Sequence, residues 1–135
     1  MRIYTSDYTR TVDVGNGSLW HSVYSTAMLR LNEDDLDFLQ YAICFLSKAE
    51  CSADDAQITA RQLELLRKRF EKIAPHDAVY DVNNPGKKVP WGNFISNSVT
   101  SCATLYTTAD GKNLFNEIIG LLKSADQNQL DIIVM

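Results

Sequence analysis

Residues Ser52 to Pro75, SADDAQITARQLELLRKRFEKIAP, decide how this chain folds. Within them Ile58, Leu63, Leu66, Phe70 and Ile73 recur at near-helical spacing, and the charged residues fall between. Ser52 is the expected cap, Asp54 and Asp55 stand in the first turn where negative charge suits the helix dipole, and Pro75 stops the helix. Such a helix is amphipathic and must bury its apolar stripe against other elements.

Upstream, Asn32 is a capping candidate with Glu33, Asp34 and Asp35 in a first turn. The run Leu36–Leu46 is apolar on more than one side, which predicts a central helix packed on both flanks. Gly15-Asn16-Gly17-Ser18 is a turn cluster, and Ser18 is expected to cap a helix carrying Leu19, Trp20, Val23, Ala27 and Leu31 on one face. Arg2-Ile3-Tyr4-Thr5 and Thr11-Val12-Asp13-Val14 read as short strands.

Downstream, Ala78-Val79-Tyr80-Asp81-Val82 reads as a strand closed by Asn83-Asn84-Pro85-Gly86. An irregular stretch, Lys87 to Ser101, contains Pro90-Trp91-Gly92. Cys102 to Thr107 reads as another strand, Thr108 or Asp110 as the cap of a helix with Leu114, Phe115, Ile118, Leu121 and Leu122, and Leu130 to Val134 as a terminal strand. Helices gather before Pro75, and short strands lie at the ends and in the second half. The expected class is α+β, several helices packed against a small, mainly antiparallel sheet, as a single domain over residues 1–135.

Composition bounds the function. A hydrophobic fraction of 45% with 22% charge is globular and argues against disorder. Cys44, Cys51 and Cys102 cannot pair completely and show no CxxC spacing; Cys44 in its apolar run reads as a small hydrophobe. No signal-peptide-like or membrane-spanning apolar stretch occurs, so a cytoplasmic, reduced setting without a membrane is expected. The formal charge of −4 is unevenly spread. Glu33, Asp34, Asp35, Asp37, Glu50, Asp54 and Asp55 face only Lys48 between Leu31 and Ala60, and Arg61 to Lys72 is a mixed-charge, mainly basic stretch. That balance argues against direct nucleic-acid binding and favours approach of a basic partner.

The search for chemistry yields no catalytic residue. His21 and His76 lack company in sequence, and no HExxH or paired Cys/His spacing supports a metal or other cofactor. Gly15-Asn16-Gly17, Gly86-Lys87 and Gly111-Lys112 lack the remaining positions of phosphate-binding loops and read as turns. Asp34, Asp35 and Asp37 serve as a solvated, cap-favouring face, a binding face for a basic partner, or an acid/base pair, in falling order. Trp91 either anchors its loop in the core or presents an aromatic contact to a partner.

Four segments together carry a resemblance. They are Ser18 to Thr26, Val79-Tyr80-Asp81, Pro90-Trp91-Gly92-Asn93-Phe94-Ile95-Ser96, and Tyr106 to Phe115 with its TxDGKxLF-like pattern. Their order and spacing resemble the bacterial polymorphic-toxin immunity proteins grouped as immunity protein family seventy, over nearly the whole chain. The resemblance implies a non-enzymatic antitoxin of the contact-dependent inhibition type. Its partner would be the cognate toxin's C-terminal domain, delivered by a competing cell, and no interface is carried over with the resemblance. An acidic chain without catalytic motifs suits a blocker of a basic nuclease. Glu33, Asp34, Asp35, Asp37, Asp54 and Asp55 would face the toxin's cationic groove, with Trp91 as an aromatic contact. A regulatory or adaptor module with another partner is the alternative, and a small enzyme with an unfamiliar site the third reading. Oligomeric state is not legible.

Overall fold

In the computed structural model, which describes residues 1–92 and 95–135, the order of elements is as follows. Strands β1 (Arg2–Thr5) and β2 (Thr11–Asp13) come first, then helices α1 (Gly17–Arg30), α2 (Glu33–Phe38), α3 (Gln40–Lys48) and α4 (Ala56–Phe70). After a long irregular segment come α5 (Cys102–Leu105), α6 (Leu114–Asn128) and strand β3 (Ile132–Val134). Asn93 and Phe94, part of the Pro90–Ser96 motif, lie outside the described residues.

The class is α+β, as the pattern predicts. The sheet has order β2-β1-β3, both pairings antiparallel, with Ile3 opposite Val12 and Tyr4 opposite Ile133. β1 is central, and alternation turns Ile3 and Thr5 fully inward. Helix α6 lies against β1 and β2 and packs along α4. Its buried face includes Phe115, Ile118, Leu121, Leu122 and Ala125.

The stretch 52–75 contains α4, and Leu63, Leu66 and Phe70 are buried as its spacing requires. Phe70 meets Phe115 edge to face with centroids 5.2 Å apart. Each such side chain contributes about 1.5–3 kcal/mol by leaving water. Ile58 departs from the expected stripe and is 41% exposed. Ser52 makes no side-chain cap; a 3-10 turn at Ala53–Asp55 leads into the helix instead. The helix stops at Phe70, and Pro75 opens a second 3-10 turn, Pro75–Asp77.

Four further expectations are corrected, each for a local reason. The Leu36–Leu46 run is two helices, broken at the buried Leu39, whose backbone leaves helical values at φ −103° and ψ 26°. Gln62 of α4 makes the break tolerable: its Oε1 accepts from the N–H groups of Tyr41 (2.8 Å) and Ala42 (3.0 Å), capping the restarted helix. Asn16, not Ser18, caps α1, and Asn113, not Thr108 or Asp110, caps α6; Asn32 caps α2 as expected. Residues 102–105 form the short helix α5 rather than a strand, because Ser101 and Thr104 make a reciprocal capping box.

The fourth correction concerns Ala78–Val82, which is no strand. Its backbone is held by side chains of α1. Val79 donates its N–H to Thr26 Oγ1 (2.9 Å), and its carbonyl accepts from Ser22 Oγ (2.7 Å). Val82 N–H donates to Ser25 Oγ (2.9 Å), and Arg30 Nε donates to the Asp77 carbonyl (2.8 Å). The buried Tyr106 hydroxyl closes the network at 2.9 Å from both Ser22 Oγ and Thr26 Oγ1.

Candidate functional site

Helices α2 and α3 run antiparallel to α4, as contacts from each of them and from the turn after α3 show. Arg69 Nε reaches Asp35 Oδ1 (3.2 Å), Gln62 caps α3, and Cys51 Sγ lies 3.6 Å from Thr59 Oγ1. This geometry divides the six acids picked out from the sequence. Glu33, Asp34, Asp35 and Asp37 stand beside the C-terminal end of α4, while Asp54 and Asp55 stand at its N-terminal end. At about 1.5 Å per residue the two groups are about 20 Å apart along the helix.

The groups also differ in how free they are. Asp35 is half-buried and spent on Arg69. Glu33, Asp34, Asp37 and Asp54 are exposed, and neither they nor the half-buried Asp55 have an ion-pair partner among the described residues.

Between the two groups the surface carries an exposed apolar strip. Phe38 is 63% exposed, Tyr41 38% and Ile58 41%. Phe38, Tyr41 and Cys44 follow one another at intervals of three along α2 and α3. Ile58 lies one turn before Gln62, which touches the backbone of Tyr41. Cys44, expected inside, is exposed here, because Ala42, Phe45 and Leu46 take the buried side of α3.

Next to this strip a cleft of about 430 Å³ opens between α3, the turn at 49–55 and β3. Phe45 and Ile132 contribute its apolar part, and Glu50, Asp55 and Asp131 its acidic part, with Lys48 opposing them. Two backbone hydrogen bonds between Cys51 and Ile132, 2.7 and 3.1 Å, tie the turn to β3. Asp131 Oδ1 accepts from Ala53 N–H at 2.8 Å. Burial pushes the Cys51 thiol pKa up, the Thr59 hydroxyl opposes this, and the negative charges of Asp55 and Asp131 add to it. Such a thiol stays protonated and is a poor nucleophile.

Sequence reasoning took Glu50 only as part of the charge excess and Ile58 as a core position, and did not single out Phe38, Tyr41 or Asp131. The three-residue spacing of Phe38, Tyr41 and Cys44 was the available signal, but it reads equally well as a core stripe.

Trp91 lies elsewhere. It is half-buried, meets Tyr106 edge to face at 6.4 Å, and helps line a recess of about 220 Å³ with Leu19, Val99 and Leu105. None of that recess's residues borders the acidic cleft.

His21 has a partner that sequence did not reveal. Its Nε2 lies 3.1 Å from Asp81 Oδ1, and its ring stacks on Tyr24 at 6.0 Å. The Asn83 N–H and then His21 hold the Asp81 carboxyl below the usual aspartate range. Neither His21 nor His76 borders the acidic cleft. Among the described residues no group of three or more His, Cys, Asp or Glu side chains could hold a metal ion, and no helix is long and apolar enough to cross a membrane.

No curated protein and no solved structure shows a significant match to this sequence. The model of one family does, that of Immunity protein 70, and it matches residues 3–134, from the first strand to the last. The chain belongs to that family of immunity proteins.

Proposed function

We propose that this protein is a cytoplasmic antitoxin of a contact-dependent inhibition system, which binds the C-terminal domain of a cognate toxin and occludes its active site. The family match over residues 3–134 carries this reading. The toxin is a basic nuclease delivered by a competing cell. Exposed carboxylates on α2 and at the 54–55 turn, which have no ion-pair partner among the described residues, support that choice, since negative charge at a surface attracts a cationic groove and speeds encounter. Glu33, Asp34, Asp37, Asp54 and Asp55 provide the steering charge. Asp35, held by Arg69, orders the end of α2 beside them. Trp91 adds a peripheral contact from the exposed part of its ring, its other part anchoring the loop on Tyr106. The action is stoichiometric and non-catalytic.

The test is co-expression with the toxic domain encoded beside this chain, scoring survival and co-purification. Rescue with a stable complex is expected. No rescue and no complex, with both proteins folded, would favour a regulatory or adaptor role. Charge reversal at Asp34 and Asp37 is expected to slow association and flatten its salt dependence.

A further inference from the structure

We infer that the toxin docks on the face formed by α3 and the start of α4, seating an arginine or lysine side chain in the cleft between Tyr41, Asp55 and Asp131. The inference rests on the immunity reading and names the surface that reading leaves open.

Stable interfaces combine an apolar centre with a charged, wetter rim, and a few anchors in central pockets supply most of the affinity. Here Phe38, Tyr41 and Ile58 form the exposed apolar centre, flanked about 20 Å apart by the acids of α2 and of the 54–55 turn. The cleft opens beside that centre, and Tyr41 belongs to both.

The chemistry of the cleft then selects the occupant. Its volume of about 430 Å³ suits a long side chain with room for water. The lining includes Tyr41 and Ile133 above the buried Phe45 and Ile132, which gives a methylene stem apolar neighbours and a cation an aromatic one. Asp55, Asp131 and Glu50 outweigh the single exposed Lys48. One oxygen of Asp131 is used on Ala53 N–H, which fixes the carboxylate in place. A second copy of this chain would bring the same unpaired acids toward each other, so a cationic partner is the better fit.

Cys44 lines the cleft and supplies a readout in the unaltered protein. The chain is treated with a maleimide, alone and as the gel-filtered complex with the toxin domain encoded beside it, and labelling is located by mass spectrometry. Cys102, fully buried, is the internal control. Cys44 is expected to react in the free protein and to lose that reactivity in the complex. Undiminished labelling of Cys44 in an intact complex overturns the inference while leaving the immunity reading in place. Failure of the native chain to form any complex removes both. Shielding of Cys44 in a self-associated free protein assigns the face to a second copy instead, and equally overturns the inference. Among folded variants, Tyr41→Ala and Asp55→Asn are each expected to weaken the complex roughly 30-fold. Tyr8→Ala, which removes an exposed aromatic on the β1–β2 turn, is expected to leave binding unchanged.

Discussion

One face of α1 and the outer face of α2–α3 both mix polar and aromatic residues, yet the fold uses them in opposite ways. On α1, His21, Ser22, Ser25, Thr26 and Arg30 all act on the segment 77–82, and every hydrogen bond they make there is internal. On α2–α3, Asp34, Asp37, Phe38 and Tyr41 point outward, and the two acids lack ion-pair partners among the described residues. The first face replaces a missing strand neighbour, supplying side-chain partners where a sheet would supply a ladder. The second holds charge and apolar area that nothing among the described residues uses. Polarity alone therefore does not mark a binding face; what separates the two is whether the polar groups are already satisfied.

Substitutions should break the first face severely and the second hardly at all, when stability is measured. The largest effect is expected from Ser22→Ala with Thr26→Val, which strips partners from Val79 N–H and C=O and from the Tyr106 hydroxyl. Urea unfolding should show a loss of about 3 kcal/mol, because buried polar groups left unpaired cost about 1–3 kcal/mol each.

Tyr106→Phe should cost less, about 1–2 kcal/mol at neutral pH. The same variant carries a pH signature. Burial raises the Tyr106 hydroxyl from 10.0 to about 12, with Ser22 and Thr26 opposing the shift. The unfolded chain then loses its proton first, so native stability falls as pH rises from 10 toward 12. The tyrosine's share of that fall should be missing from Tyr106→Phe in alkaline urea titrations.

A smaller effect is expected from Asp81→Asn, which weakens the link to His21 and Asn83 N–H. The Asp81 carboxyl is held below its usual range, so its contribution is present at neutral pH and is lost as pH falls through the acidic carboxylate range. Wild-type and variant stabilities should converge in acid; a gap that persists there would detach Asp81 from this role. The smallest change is expected for Phe38→Ala, within about 0.5 kcal/mol by the same urea assay, because the ring makes little use of the core.

What was legible in the sequence follows the same division. The periodic positions Leu63, Leu66 and Phe70, the Asn32 cap and the terminal strands came through because burial and capping are written in local spacing. Val79 and Val82 read as strand residues by composition, but no strand among the described residues pairs with them, and their partners are hydroxyls more than fifty positions earlier. The break at Leu39 depends on Gln62, twenty-odd residues away, so local pattern could not place it. Asn16 and Asn113 each lay within reach of the residues expected as caps, and only the entry geometry of the helix separates such neighbours. The candidate site was legible as a charge excess and not as a surface. Sequence grouped six acids that α4 holds about 20 Å apart. The Phe38–Tyr41–Ile58 strip between them appears only once burial is known.

Hydrogen exchange of the protein, free and bound to the cognate toxin domain, tests most directly whether the partner reads the unspent face. Protection gained over residues 33–59 and at β3, with residues 77–82 and α1 unchanged, is the expected result. Protection confined to α1 and the segment 77–101 would contradict it, and would place the toxin on the face whose polar groups the fold already uses.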